Sequence, residues 1–208
     1  KCNSCGVCVQ VCPVKAIQVT EKGVVINSIS CIGCGICVPR CPAEAIDLKH
    51  CTNDQLTAQI KSSIPKNGKQ PRVLAFFEKT TAYGSADLAG QNRMNYTPNV
   101  NVIGVPSAAR VGLKHVLQAF AAGADGLVFI EGDDSPFAEE MLRNYVNQLK
   151  KDVSPYGIEP LRLSSITTTL PQYEKIVGLF ETFTQRLSKL GQLPEEKREK
   201  IQQSLGED

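Results

Sequence analysis

Beyond residue 70 the chain reads four times as an apolar run followed by a helical period. The runs are Val73 to Phe77, Val100 to Val105, Gly126 to Ile130 and Pro160 to Ile166. They are nearly continuous rather than alternating, as strands read when both faces of a sheet are covered, so a four-stranded parallel sheet between helices is predicted. The helical stretches carry clean faces: Val116, Leu117, Phe120 and Ala121; Met141, Leu142, Tyr145, Val146 and Leu149; Ile176, Val177, Phe180, Phe183, Leu187 and Leu190. Steps of three and four place each set on one side of its helix. A linker helix from Thr52 to Ile64 and a turn from Pro65 to Pro71 precede the first run. After the last, Pro194 to Leu205 carries the charged run Glu195 to Lys200 and reads as a solvated terminal helix.

The first 51 residues break this pattern. Two short apolar pairs, Ala16 with Ile17 and Ala45 with Ile46, lead into Gln18 to Thr20 and Asp47 to Lys49. Both read as short strands, and Gly23 to Ile26 is placed to pair with the first as a hairpin. All seven Phe and five Tyr of the chain lie between Phe76 and Phe183, while all nine Cys lie within residues 1–51. A small region without aromatic residues buries too little area to be held by an apolar core. The composition divides the chain into a cysteine domain over 1–51, a linker helix and turn over 52–71, an α/β domain over 72–190 and a charged terminal helix over 191–208.

The cysteine domain is one unit used twice. Residues 2–17 align with residues 31–46 at an offset of 29, and nine of the sixteen positions are identical. Each copy has the spacing CxxCxxCxxxCP, giving Cys2, Cys5, Cys8 and Cys12 before Pro13, then Cys31, Cys34, Cys37 and Cys41 before Pro42. This is the bacterial-type ferredoxin run, in which the fourth cysteine ligates the other cluster. Two [4Fe-4S] clusters are therefore expected, cluster one on Cys2, Cys5, Cys8 and Cys41, cluster two on Cys31, Cys34, Cys37 and Cys12. A zinc ribbon would use two CxxC pairs and leave the third cysteine and the CP without purpose. A disulfide scaffold would need an oxidising compartment, to which nothing in the sequence points. Small apolar residues, Val7, Val9, Ile17, Ile32, Ile36 and Ile46, would sheath the clusters. Cys51 lies outside the repeat and reads as a spare thiol. The expected fold is an α+β two-[4Fe-4S] ferredoxin domain followed by an α/β domain with a four-stranded parallel sheet.

Charge adds mainly exclusions. The 208 residues carry 23 basic and 21 acidic side chains, a formal +2, and no strong field toward nucleic acid or a membrane surface follows. No apolar run approaches the roughly 20 residues of a membrane helix. The chain opens on Lys1, one residue before a candidate ligand, so a longer native chain is expected.

In a parallel sheet ligands bind at the carboxyl ends of the strands. Those loops are Glu78 to Tyr83, Pro106 to Gly112, Glu131 to Pro136 and Thr167 to Thr169, and none is a GxGxxG or Walker loop. The acidic stretch Glu131 to Pro136 reads as a helix start, with Asp134 or Ser135 as N-cap, Pro136 at N1, and Glu139 and Glu140 in the first turn. His50 and His115 lack acid or nucleophile partners at readable spacing and are expected to be packing or surface residues, so no catalytic residue is assigned.

The stretch Ala75 to Arg93, then Arg110 and Val111, then His115 to Phe129 resembles the delta subunit of methyl-viologen-reducing hydrogenase, most specifically in YGSADLAG and AFAAGADG. With a ferredoxin module in front, the order is similar to the A-type subunit of heterodisulfide reductase, and looks most like the B-type subunit family of the quinone-interacting membrane-bound oxidoreductase complex. The resemblance implies a cytoplasmic electron-transfer component, at the inner face of the membrane only through partners. Those implied partners are a flavin-containing heterodisulfide-reductase-like subunit, a membrane quinone-linked subunit and adenylylsulfate reductase, with FAD upstream or in a partner. The delta family also holds a [2Fe-2S] cluster on cysteines after its first three strands. The corresponding positions here are Glu78 and Thr81, Ser107, and Gly132 with a residue near Phe137, so no [2Fe-2S] cluster is expected. A protein-docking role is the alternative for this domain, and a hard-ligand metal site on Glu78, Ser107 and Asp133 is a further one.

Overall fold

A computed structural model describes residues 1–21, 23–65, 70–137 and 139–206. The expected turn from Pro65 to Pro71 falls largely on residues 66–69, outside the described residues.

The amino-terminal region has little regular structure: a short helix α1 (Val7–Val11) and the strands β1 (Ile17–Thr20) and β2 (Gly23–Ile26). The two strands pair antiparallel, Ile17 opposite Ile26 and Thr20 opposite Gly23, as the expected hairpin. The expected second strand at Asp47 to Lys49 does not form. Asp47 turns back instead, its carboxylate accepting from the N–H of Leu48 at 2.8 Å and of Asn53 at 3.2 Å. A short polar side chain that satisfies local N–H groups competes with a ladder, and here it wins.

Helix α2 (Asn53–Ser62) starts at a reciprocal capping box. The Gln55 N–H donates to Thr52 Oγ1 at 3.1 Å, and the Thr52 N–H donates to Gln55 Oε1 at 3.0 Å. The helix buries Leu56 and Ile60 completely.

The sheet has four parallel strands, β3 (Val73–Glu78), β4 (Val100–Val105), β5 (Gly126–Gly132) and β6 (Leu163–Thr168), in the order β4-β3-β5-β6. Every residue of β3 and β5 is buried, which is why those two runs show no polar alternation. Along β3, Leu74 and Phe76 join one apolar core while Val73, Ala75 and Phe77 join the other. The first core is covered by α2, α4 (Leu113–Ala121), α5 (Glu140–Val153) and α7 (Glu195–Ser204). The second is covered by α3 (Thr81–Gln91) and α6 (Glu174–Leu190).

Three element expectations are corrected. Strand β6 begins at Leu163, because Pro160–Arg162 forms a 3-10 turn; proline suits a first helical position and has no N–H for a ladder. Helix α5 begins at Glu140, not at the expected cap; the Ser135 hydroxyl donates to Glu131 (2.7 Å) and accepts from the nearby Phe137 N–H (3.1 Å). Helix α7 is not a solvated appendage. Its Ile201 is fully buried, and Arg198, 4% exposed, donates to the carbonyls of Phe120 (2.6 Å) and Ala124 (2.8 Å) and to Asp125 (2.7 Å).

Candidate metal centres

The eight repeat cysteines gather into two groups, each drawing on both copies of the motif. Cys2, Cys5, Cys8 and Cys41 line one cavity, together with Gly6, Val24, Pro42 and Ala45. Cys12, Cys31, Cys34 and Cys37 line a second, tighter one, together with Ile32, Ile36 and Val38. The turn after each CP sends the fourth cysteine away from its own motif. That turn is the same in both copies: the Ala16 N–H donates to Cys12 Sγ at 3.2 Å, and the Ala45 N–H donates to Cys41 Sγ at 3.3 Å. All nine cysteines are free thiols, and Cys51 is buried in the apolar core away from both cavities.

The thiols fit a bound polynuclear group better than a single ion. A zinc site needs four ligands converging within about 2.3 Å of one point. Among the described residues no three His, Cys, Asp or Glu side chains converge in that way; the thiols surround a volume instead. Burial pushes the Cys8 and Cys34 thiols up and Cys37 to about 11, with neighbouring thiols of the same group adding to the rise. Thiols in that state are protonated at neutral pH, and only a cationic group between them would hold them as the thiolates that ligation needs.

The second group is packed against the α/β region. Gly35, with φ +72°, lies between Cys34 and Cys37; a Cβ there would stand 2.7 Å from Arg110 Cδ. A Cβ on Gly112 would stand 2.3 Å from Pro39 Cβ. These glycines let the β4–α4 loop close on the second motif. Arg110, fully buried, donates through Nη2 to the Cys51 carbonyl (2.9 Å), to Asn53 Oδ1 (2.9 Å) and to Asp47 Oδ1 (3.3 Å). Arg40 donates to the Ile36 carbonyl (2.7 Å) and lies 4.3 Å over the Tyr145 ring, while the Tyr145 hydroxyl donates to the Val111 carbonyl (2.8 Å). Sequence reasoning gave no role to either arginine. The signals were present: Arg110 is the one charge in the loop Pro106 to Gly112, and Arg40 stands where the first copy has Val11.

The strand ends of the sheet are occupied by the protein's own polar groups. The sheet order changes direction around β3, so its carboxyl ends are where ligands of such sheets sit. Glu78, ending β3, accepts from the N–H groups of Thr80 (2.6 Å), Thr81 (3.0 Å) and Ala82 (3.1 Å) and from the Thr80 hydroxyl, so it caps α3. Glu131, near the end of β5, accepts from the Ala108 N–H (2.7 Å) and the hydroxyls of Ser107 (3.1 Å) and Ser135 (2.7 Å). Burial pushes Glu131 up to about 7, restrained by those three donors. Asp133 is exposed, Ser107 belongs to Glu131, and Glu78 faces its own helix; the structure does not bring these three together. His115 is buried in α4, with burial and then Arg110 pushing it down to about 4, and its Nδ1 has no hydrogen-bond partner among the described residues.

Comparison with known proteins gives two family matches. The model of the delta subunit of methyl-viologen-reducing hydrogenase matches residues 73–191, and that of the 4Fe-4S dicluster domain matches residues 1–68. The A-type subunit of ferredoxin:CoB-CoM heterodisulfide reductase from Methanosarcina mazei is 32% identical over 205 residues, covering 96% of this chain and 26% of that protein. The D-type iron-sulfur subunit of the vhu F420-non-reducing hydrogenase from Methanopyrus kandleri is 33% identical over 126 residues, covering 58% of this chain and 95% of that protein. The chain thus spans about a quarter of the heterodisulfide reductase polypeptide it matches.

Proposed function

Because this chain belongs to the family of the delta subunit of methyl-viologen-reducing hydrogenase, we propose that it is the electron-transfer portion of a heterodisulfide-reductase-like oxidoreductase complex. The observation that carries the reading is the crossed grouping of eight thiols into two fours. Cys2, Cys5, Cys8 and Cys41 hold one [4Fe-4S] cluster, and Cys31, Cys34, Cys37 and Cys12 hold the other. The bound clusters supply reversible one-electron storage. The chain's own residues supply the rest. Four thiolates fill each coordination shell, the N–H groups of Ala16 and Ala45 bond the crossing sulfurs, and the apolar side chains around Ile36 and Val38 limit water.

Electrons pass between a flavin-containing subunit, which carries FAD upstream or as a partner, and a further redox subunit. In the finer form of this reading the complex is the quinone-interacting one of sulfate reducers, linking adenylylsulfate reductase to a membrane quinone. What supports it is the order of the two regions, ferredoxin first and the delta-like region second. No helix among the described residues is long and apolar enough to cross a membrane.

Anoxic iron and sulfide analysis is expected to give about eight of each per chain. Cys12→Ser is expected to alter the spectrum of the cluster on Cys31, Cys34 and Cys37. Four iron per chain, or zinc in its place, would sink the reading, and alteration of the other cluster alone would sink the crossing.

A second reading concerns the α/β region as a protein contact surface without a cluster of its own. It is favoured by the strand ends, where Glu78 and Glu131 are saturated by backbone and hydroxyl donors and no thiol is present.

A further inference from the structure

The two cluster cavities differ in the charges behind them. Among the described residues, the cavity of Cys2, Cys5, Cys8 and Cys41 is lined by Asn3, Ser4 and small apolar residues, with no charged side chain. Behind the other stand two guanidinium groups. Arg110 is fully buried, and its Nε and Nη1 have no hydrogen-bond partner among the described residues. Arg40 is half-buried and bonds carbonyls, of Ile36 at 2.7 Å and Ala109 at 3.4 Å, not a carboxylate. Asp47 also lines this cavity and pairs with Arg110, but its side chain is 45% exposed, so water screens much of its charge. The pair therefore leaves a net positive charge against the segment Cys34 to Cys37.

We propose that Arg110 and Arg40 set the reduction potential of the cluster on Cys12, Cys31, Cys34 and Cys37, so that the α/β region tunes an electron-transfer centre it does not ligate. The inference rests on the cluster reading above. Its physics is short. Four thiolates give the cluster a net negative charge, an added electron increases it, and a half-buried site penalises that increase. A buried cation nearby opposes the penalty and raises the potential, since net charge and burial are among the levers on such centres. Both guanidinium groups are within electrostatic reach of Cys37, and Arg40 also of Cys34. Arg110 comes from the β4–α4 loop and lies on Gly35 between those cysteines, so the loop that docks the two regions also carries the charge. The first motif has Val11 where the second has Arg40, which leaves the other cluster as an internal reference. No bond forms or breaks and no proton moves; one electron enters and leaves.

The test is a redox titration of the full chain with dithionite under anoxic conditions, followed by electron paramagnetic resonance. The cluster in question is identified by its response to Cys12→Ser. Arg110→Met and Arg40→Met are each expected to shift its reduction equilibrium at least tenfold toward the oxidised form, about 59 mV lower for a one-electron couple, while the reference cluster stays at its wild-type potential. Arg40→Lys keeps the charge and is expected to stay near wild type. Should Arg110→Met lose iron, Arg40→Met against Arg40→Lys decides the matter. An unmoved potential, equal movement of both clusters, or Arg40→Lys shifting as far as Arg40→Met would overturn the proposal. Wild-type iron near eight with two paramagnetic signals upholds the cluster reading whichever way the potentials move; a single cluster in the wild type refutes that reading itself.

Discussion

The two regions of this molecule reach stability by opposite means. In the α/β region the largest fully buried apolar side chains are aromatic, Phe76, Phe77, Phe120, Phe129, Phe180 and Phe183, and they fill both sides of a sheet whose central strands are wholly buried. The amino-terminal region has no aromatic residue and leaves apolar side chains outside, with Val19, Val25, Ile26 and Ile32 about half exposed and Ile29 at 95%. Its longest helix is five residues and its longest strand four. Such elements are too short to be stable by themselves. Where ligation supplies the cohesion, the sequence is relieved of the need for a core; where no ligand is available, every strand must carry one.

Stripping the clusters with an iron chelator and a mild oxidant tests that contrast most severely. Backbone amides of residues 1–33 are expected to lose all protection from hydrogen exchange, because binding free energy at such sites is folding free energy. Amides of β3 and β5 are expected to keep theirs, since their partners are strands and helices alone. Ile36 and Cys51 pack in the α/β core and mark the seam where protection should change. If the sheet lost protection in the same step, the two regions would be one cooperative unit and the comparison would fail.

A smaller effect is expected within the α/β region at Arg198. Its guanidinium spans α4 and α7 by bonding two carbonyls and Asp125, which is fully buried. Arg198→Met leaves that carboxylate without its cation, and removing one partner of a buried pair costs about 3–5 kcal/mol. Urea unfolding followed by tyrosine fluorescence checks this, and the five Tyr report only this region because all lie between Tyr83 and Tyr173. A loss below about 1 kcal/mol, the usual worth of an exposed pair, would show that α7 is an appendage after all.

That residue also shows what was legible in the sequence. Both cysteine motifs, the four strand cores and the apolar helix faces, except Met141 at 45% exposed, could be read because spacing and hydrophobic period encode them directly. Arg110, Arg162 and Arg198 could not, since a pattern reading treats arginine as surface while the structure buries all three on backbone carbonyls and carboxylates. The same blindness made α7 look solvated. Polar residues that bond their own neighbourhood caused the other misses: Asp47 replaced a strand with a turn, and Ser135 served Glu131 and the Phe137 N–H in place of a helix start. Helix α3 gave no clear apolar face, because the residues it buries, Ala82, Ser85 and Ala89, are small.

The smallest predicted effect sharpens the comparison by pH, in a range where, among the described residues, only the α/β region carries strongly shifted buried groups other than thiols. Glu131, fully buried, titrates at about 7 against an ordinary 4.5. The folded chain therefore binds that proton more tightly than the unfolded one, and the group's contribution to stability is complete below pH 4.5 and lost as pH rises toward 7. His115, 4% exposed, titrates at about 4 against an ordinary 6.5. Its contribution has the opposite sign: complete above pH 6.5 and lost as pH falls toward 4. Each is worth on the order of 3 kcal/mol in full, and the windows overlap with opposing slopes, so these two groups nearly cancel in the wild type. Single substitutions separate them. In Glu131→Gln, urea stability read from tyrosine is expected to fall by about 2 kcal/mol between pH 6.5 and 4.5, the uncovered histidine slope. In His115→Gln it is expected to fall by a similar amount as pH rises from 4.5 to 7, the uncovered carboxylate slope. Two variants as flat as the wild type would mean that neither group is held in the charge state its burial imposes. The buried polar groups of the α/β region would then be as open to water as the exposed valines of the cluster-bearing one.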